Sequence, residues 1–126
     1  MDKGDEKYAL ISQIKKAGVL ALLVLLSTLV YFNSLGNGFH FDDYHHIVDN
    51  PHLKNIRNIP SFFSDTTKFS SMGWANHYRP LLLVTHTLNY YYGKLYPAGY
   101  HAVNLAFHAG SAFMLFLIVE AMLGSS

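Results

Sequence analysis

Residues 17–32 read AGVLALLVLLSTLVYF and contain no charged side chain. With Ile14 before this run and Leu35 after it, the apolar length approaches the roughly 20 residues that a helix needs to cross a hydrocarbon core of about 30 Å. Ser27 and Thr28 interrupt the run, but their hydroxyls can donate hydrogen bonds to carbonyls one turn earlier. The pattern predicts a transmembrane helix at residues 14–33.

A cleaved signal peptide is the alternative interpretation of this segment, because Lys15 and Lys16 precede it and small residues follow it. The apolar regions of signal peptides are usually about 7–15 residues long and end in an Ala-x-Ala-like site. This run is longer, and it continues into Tyr31 and Phe32, aromatics that are typical of a membrane interface. The sequence therefore favours a membrane span.

A second apolar segment, residues 101–123, reads HAVNLAFHAGSAFMLFLIVEAML and is also long enough to cross a bilayer. It is less uniformly apolar than the first, because histidine, asparagine and glutamate interrupt it. Two such segments predict a helical hairpin in the membrane.

Basic residues are distributed unevenly around the first span. No Lys or Arg follows it before Lys54, whereas four lysines precede it: Lys3, Lys7, Lys15 and Lys16. Because cytoplasmic flanks of membrane spans are enriched in Lys and Arg, we expect residues 1–13 and 124–126 to be cytoplasmic. Residues 34–100 would then form a loop on the periplasmic or luminal side.

Glycine and proline residues punctuate this loop, which predicts short helices and turns. Residues 80–92 are its longest helical stretch, with Pro80 at the first helical position and Gly93 just past the end. About thirteen residues are too few to span, so this helix is expected on the outer membrane surface or packed against the spans. The predicted fold class is an all-α membrane protein with two transmembrane helices, a long outer loop and short juxtamembrane helices.

The composition agrees with a membrane protein and excludes several function classes. Hydrophobic residues make up 51% of the chain and charged residues only 13%. The formal net charge of +1 provides no basic field for a nucleic-acid partner. The absence of cysteine excludes disulfides, thiolate metal sites and thiol nucleophiles within these 126 residues.

Two adjacent carboxylates, Asp42 and Asp43, follow a glycine-rich turn at the outer end of the first span. Near a membrane surface a carboxylate can be desolvated, which raises its proton affinity toward the range that suits a general base. Aspartate is also a good N-cap, so one of the pair could instead begin a short helix while the other faces water. Composition alone leaves both interpretations open.

The same segment offers ligands to a divalent cation, since His45 and His46 follow the two aspartates. The run has no defining ligand spacing, and adjacent residues rarely converge on one ion. The sequence therefore predicts no dedicated metal site and leaves a cation near Asp42 and Asp43 as the alternative.

Arg79 precedes the predicted loop helix, where its guanidinium beside the first helical amides could bind a phosphate or a carboxylate. An ion pair with a loop aspartate is the equally open alternative.

His101, Asn104 and His108 recur at helical spacing and line one face of the second span. Lipid cannot satisfy polar groups, so we expect these residues to pack against other helices. His101 and His108 lie two turns apart, about 10.5 Å along the axis, and cannot chelate one ion together. Single ligation of a haem or chlorophyll is the alternative.

The order of several short motifs resembles the N-terminal part of the GT-C glycosyltransferases, from the first span to the second. The nearest resemblance is to the transmembrane tetratricopeptide-repeat O-mannosyltransferases and their bacterial homologues. The resemblance covers residues 17–123 and is carried by Asn33-Ser34-Leu35, Phe41-Asp42-Asp43, Ile47, Asn50-Pro51, Tyr78-Arg79-Pro80-Leu81, Leu88-Asn89-Tyr90 and Gly99-Tyr100-His101-x-x-Asn104-x-x-x-His108-Ala109.

This resemblance implies an enzyme that transfers a sugar from a polyprenyl-phosphate carrier to an acceptor hydroxyl at the outer face of the membrane. Asp42 would be the catalytic base, with Asp43 beside it, and Arg79 would help to hold the carrier phosphate. The implied location is the plasma (inner) membrane or the endoplasmic reticulum membrane. The implied partners are membrane lipid and other transmembrane polypeptides.

The chain is much shorter than enzymes of this kind, which have ten or more spans. Three interpretations follow: a fragment of a larger enzyme, a subunit completed by another polypeptide, or a reduced relative without catalysis. The function expected is therefore that of a truncated GT-C-like protein, with a non-catalytic accessory subunit of a larger membrane complex as the alternative.

Overall fold

A computed structural model of the chain describes residues 3–124, so the outermost residues of the two predicted cytoplasmic tails, 1–2 and 125–126, lie outside the described part. Within the described part, all regular secondary structure is helical and no strand occurs. The three long helices are α1 (Lys3–Tyr31), α2 (Pro80–Gly93) and α3 (Pro97–Gly124). The predicted helical class is confirmed.

Short helical turns fill the chain between α1 and α2. A wide turn with a hydrogen bond from the Asp49 N–H to the Tyr44 carbonyl covers Tyr44–Val48. Four 3₁₀ segments account for the rest: Phe32–Gly36, Pro51–Lys54, Ile56–Phe63 and Thr66–Phe69. This agrees with the glycine and proline punctuation of the sequence.

Two helical segments are long and apolar enough to cross a membrane, Asp5–Gly36 and Pro97–Gly124. Both extend beyond the predicted limits of 14–33 and 101–123. Most of their apolar side chains are exposed, Leu29 at 66% and Leu115 at 62% among them. Thr28 Oγ1 donates a hydrogen bond to the Val24 carbonyl at 2.7 Å, which confirms the expected bond to the preceding turn.

Residues 3–33 and 104–124 belong to one compact unit in which α1 and α3 run antiparallel. The Tyr31 ring packs edge-on against the His108 ring, with centroids 5.4 Å apart. Lys16 Nζ lies 3.1 Å from Glu120 Oε2, so the acidic residue of the second apolar segment has a basic partner on the first. Both side chains of this ion pair are exposed, and its contribution to stability is therefore small.

Residues 34–103 form the second compact unit, with its own core. Leu53, Phe62, Phe69 and Leu83 are at most 2% exposed and pack together. The core thus joins three 3₁₀ segments to one face of α2. Burial of these four large side chains contributes on the order of 1.5–3 kcal/mol each relative to exposure, which makes them the main source of stability in the loop.

Asn50 is fully buried and connects two parts of this unit. Its Nδ2 donates hydrogen bonds to the Lys68 carbonyl at 3.0 Å and the Phe69 carbonyl at 3.3 Å. Its Oδ1 accepts a hydrogen bond from the His52 N–H at 3.0 Å and thereby caps the Pro51–Lys54 turn. One side chain therefore fixes this turn against the segment that carries Phe69.

Helix α2 confirms the predicted loop helix, with Pro80 as its first residue. The predicted position of Gly93 just past the end is wrong by one residue, because Gly93 is the last helical residue. Lys94 instead takes the left-handed backbone, with φ of 53°, and its N–H donates to the Tyr90 carbonyl at 2.9 Å. Lys94 Nζ also lies 5.1 Å from the Tyr90 ring centroid, an attraction that offsets part of the backbone strain.

Asn50→Ala is expected to lower the free energy of unfolding by about 2–4 kcal/mol, because it leaves two buried carbonyls and one N–H without partners. Asn55→Ala is the matched control. Asn55 Oδ1 accepts a hydrogen bond from the Arg57 N–H and so caps the next turn in the same way, but in an exposed position. The control should cost less than about 1 kcal/mol. Urea unfolding in mild detergent, followed by circular dichroism, measures both. Equal losses in the two variants would contradict the role given to Asn50.

Candidate functional site

The two adjacent aspartates have different surroundings in the structure. The Asp43 N–H donates to the His40 carbonyl at 3.0 Å, and Asp43 Oδ2 accepts a hydrogen bond from the His40 N–H at 3.0 Å. This reciprocal pair closes the turn before Tyr44–Val48, and the Asp43 side chain makes no capping bond to the following turn. The Asp42 side chain is 82% exposed. Asp43 therefore stabilises the turn, and Asp42 is the carboxylate that an external molecule can reach.

Phe41, which precedes this pair, has the left-handed backbone with φ of 45° and is 92% exposed. Both properties are unfavourable for an isolated phenylalanine, since β-carbon sterics disfavour this backbone and water disfavours the ring. Such strain is typical of functional sites and of chain segments held by their surroundings.

His45 is positioned by a segment 25 residues further along the chain. Its Nε2 lies 3.4 Å from Asp42 Oδ1, and its Nδ1 lies 2.9 Å from Ser70 Oγ. The His45 carbonyl accepts a hydrogen bond from the Ser71 N–H at 2.9 Å. The imidazole is thus held at one nitrogen while the other faces the exposed carboxylate.

His46 lies between two rings, 4.1 Å from the His45 centroid and 4.4 Å from the Phe69 centroid. Burial lowers the pKa of His46 below its usual value, and the neighbouring His45 adds to this effect. The structure therefore brings together ligand atoms of Asp42, His45 and His46, all within 4.8 Å of one another. Asp43, which the sequence placed beside Asp42 near a cation, is not in this set.

Arg79 contacts the same phenylalanine ring, with its guanidinium carbon 5.8 Å from the Phe69 centroid. His77 packs edge-on against that ring as well, at 5.1 Å. Across residues 3–124, no carboxylate forms an ion pair with Arg79. Arg79 and His46 thus contact one ring although 33 positions separate them in the sequence.

His86 lies on α2 and is half-buried. Burial lowers its pKa to about 4, and the charge of Asp43 opposes this shift while that of His46 adds to it. Its ring centroid lies 5.7 Å from that of Tyr100. The side chain is therefore a neutral imidazole at physiological pH.

The three polar residues predicted to pack between helices have different environments. His101 Nε2 is buried without a hydrogen-bond partner among the described residues. Asn104 is exposed, and so is His108, whose ring contacts Tyr31. The role of these residues in packing against other helices stays a prediction.

Ser70 and Phe69 are the site residues that sequence reasoning missed. Neither belongs to a motif, and both act on residues more than 20 positions away. No periodicity or spacing signals such contacts, because they depend on how the turns pack around Asn50.

The buried neutral His86 predicts a pH-dependent stability. Its pKa is about 4 in the folded chain and 6.5 when unfolded, so its contribution is complete above pH 6.5 and is lost as the pH falls toward 4. The loss can reach about 3 kcal/mol at 1.36 kcal/mol per pKa unit. His86→Gln should remove this part of the pH dependence, whereas His40→Gln, at an exposed position, should retain it. Urea unfolding at pH 4 to 7 with a chelator present measures the difference, and identical pH profiles for the two variants would contradict the assignment.

No protein-family model matches the chain, and no solved structure matches it significantly. Curated proteins do match. The chain is 38% identical over 93 residues to human protein O-mannosyl-transferase TMTC3, which covers 71% of the chain and 10% of that protein.

Two further relatives extend the matched region to 79% of the chain. Drosophila melanogaster protein O-mannosyl-transferase Tmtc1 is 31% identical over 103 residues, and Xenopus laevis protein O-mannosyl-transferase tmtc2 is 34% identical over 105 residues. The match covers 12% of each, so the chain spans about a tenth of the length of these relatives. The sequence similarity shows that the chain belongs to the GT-C glycosyltransferases, in the branch of the TMTC protein O-mannosyl-transferases.

Proposed function

We propose that this chain contributes the acidic outer loop of a membrane glycosyltransferase that uses a polyprenyl-phosphate sugar. The names of its relatives point to mannose as the sugar and a protein hydroxyl as the acceptor. The observation that carries the proposal is the exposed Asp42 carboxylate, held beside His45 in a chain similar to O-mannosyl-transferases.

Asp42 acts as the general base in this proposal. Its carboxylate accepts the proton of the acceptor hydroxyl while the hydroxyl oxygen attacks the anomeric carbon and the carrier phosphate leaves. A base must reach the hydroxyl directly, and the exposure of Asp42 allows this, whereas Asp43 is occupied by the His40 N–H. Asp43 is therefore a positioning residue that fixes the turn carrying Asp42.

Arg79 binds the carrier phosphate in this proposal. A guanidinium suits phosphate because its planar fork can donate two parallel hydrogen bonds. Arg79 and His46 both contact the Phe69 ring, which supports a location of the cation near the histidines that follow Asp42. The donor would then contact Arg79 through its phosphate, while the acceptor hydroxyl contacts Asp42.

The membrane orientation follows the lysine distribution. The halves of α1 and α3 that carry Lys16 and Glu120 face the cytoplasm, and residues 34–100 lie on the luminal or periplasmic side. The Lys16–Glu120 ion pair supports this arrangement, because it joins charged residues near the cytoplasmic limits of the two apolar segments.

Other transmembrane polypeptides, or further spans of a longer chain, complete the site. Asn104 of α3 is exposed and supports this, because lipid cannot satisfy the hydrogen bonds of an amide side chain. The same residue favours the second candidate function, a non-catalytic accessory subunit that packs its hairpin into a larger complex.

The orientation predicts opposite labelling of two introduced cysteines, which is measurable because the sequence has none of its own. Asn37→Cys in the outer loop should be labelled in oriented vesicles by an impermeant maleimide added on the luminal or periplasmic side. Glu6→Cys should react only from the cytoplasmic side. Both positions are exposed, so the substitutions should not disturb the fold. Labelling of both from one side would contradict a crossing of the membrane by α1.

Asp42→Asn is expected to reduce sugar transfer by about 10²–10⁴-fold, the usual contribution of a general base. The assay is mannose transfer from a polyprenyl-phosphate donor to protein, with the chain extracted from its membrane together with its associated polypeptides. Asp49→Asn is the control, because Asp49 is an exposed aspartate of the same loop outside the Asp42 cluster. It should leave transfer unchanged.

Full sugar transfer by the Asp42→Asn variant would contradict the role of Asp42 as the general base. A wild-type assembly without transfer activity, in a stable stoichiometric complex with unrelated membrane proteins, would instead support the accessory subunit.

A further inference from the structure

We infer that Asp42, His45 and His46 form a binding site for a divalent transition metal of the Zn²⁺ type. This inference goes beyond the proposed sugar transfer and does not depend on it, because it concerns metal binding alone. It rests on the geometry of three side chains that offer one carboxylate oxygen and two imidazole nitrogens within 4.8 Å of one another.

The separation of Asp42 and His45 fits two ligands of one tetrahedral ion. Zn²⁺ binds imidazole nitrogen at about 2.0–2.1 Å and carboxylate oxygen at about 2.0–2.2 Å, so two such ligands at the tetrahedral angle are about 3.4 Å apart. His45 Nε2 and Asp42 Oδ1 are 3.4 Å apart. This distance is long for a hydrogen bond, and it leaves room for an ion on the exposed side of the pair.

Ser70 orients the His45 ring in the way that hydrogen-bond partners orient metal-bound histidines in known sites. Ser70 Oγ lies 2.9 Å from His45 Nδ1, and it also accepts a hydrogen bond from the Met72 N–H at 3.0 Å. Ser70 is 3% exposed, so this contact is fixed by the interior of the loop. A hydrogen bond at one ring nitrogen sets the tautomer and aims the other nitrogen at the metal.

His46 lies beside the Asp42–His45 pair although it directly follows His45 in the chain. The wide turn Tyr44–Val48 carries both histidines, and their ring centroids are only 4.1 Å apart. The contact with Phe69 restricts the His46 ring from its other side. The His46 ligand atom lies within 4.8 Å of those of Asp42 and His45.

The ligand chemistry selects the class of metal. Two imidazoles and one carboxylate suit Zn²⁺ and its spectroscopic substitute Co²⁺, whereas Mg²⁺ and Ca²⁺ prefer sites made of oxygen ligands alone. The exposed side of Asp42 leaves a fourth position for water. A Zn²⁺ ion there would occupy the Asp42 carboxylate, so a metal-loaded chain would lack the base proposed above.

The test is a Co²⁺ titration of the full chain in mild detergent, prepared without a polyhistidine tag. We expect one equivalent of Co²⁺ to produce the visible absorption bands of tetrahedral cobalt, and Zn²⁺ to displace it. His46→Gln and Asp42→Asn should each weaken the affinity by at least about tenfold, because losing a ligand should cost no less than losing an outer-shell partner. Asp42 is exposed, so its variant tests the site even if a histidine variant folds poorly.

His77→Gln is the matched control, because His77 contacts the same Phe69 ring but lies outside the ligand set. Its Co²⁺ affinity should remain within about twofold of the wild type, well below the tenfold loss expected for a ligand. The inference is overturned if equimolar Co²⁺ gives no tetrahedral spectrum, or if Asp42→Asn and His46→Gln bind Co²⁺ as tightly as His77→Gln does.

Discussion

The buried side chain of Asn50 makes the contacts on which the fold of residues 34–103 depends. It makes three hydrogen bonds to backbone groups, two of them to carbonyls 18 and 19 positions away. Turns without strands have few backbone bonds between segments, so each long-range bond restricts them strongly. A buried amide that lost these partners would leave polar groups unsatisfied, and this makes the arrangement specific as well as stable.

The candidate site is a consequence of that restraint. Because Asn50 holds the carbonyl of Phe69, the Phe69 ring is fixed in the core, where His46 and Arg79 contact it. Ser70, the next residue, is fixed with it and orients His45. The side chains of the candidate site thus lie on turns that long-range hydrogen bonds hold together. The division between Asp43, which closes its own turn, and Asp42, which is exposed, completes this arrangement.

The histidines differ in their surroundings, and burial gives residues of one type different chemical properties. His86 in the interior has its pKa lowered to about 4 and is neutral, while His45 is held between a hydroxyl and a carboxylate. His108, on the apolar helix α3, packs against an aromatic ring of α1. Residue type alone therefore predicts little about chemistry in this chain, since the cost of placing a proton depends on local desolvation and neighbouring charge.

The sequence by itself determined the three long helices and the position of the candidate site in the chain. Apolar length fixed α1 and α3, Pro80 fixed the start of α2, and the Asp42-Asp43 pair was apparent beside the motifs of the glycosyltransferases. These features are local, because helix formation and hydrophobic length depend on neighbours within a few turns. Tertiary structure decided which aspartate is exposed and that Ser70 orients His45. It also decided that Arg79 and His46 contact the same ring, that of Phe69. Those relations depend on bonds between distant turns, above all those of Asn50, whose burial no local pattern reveals.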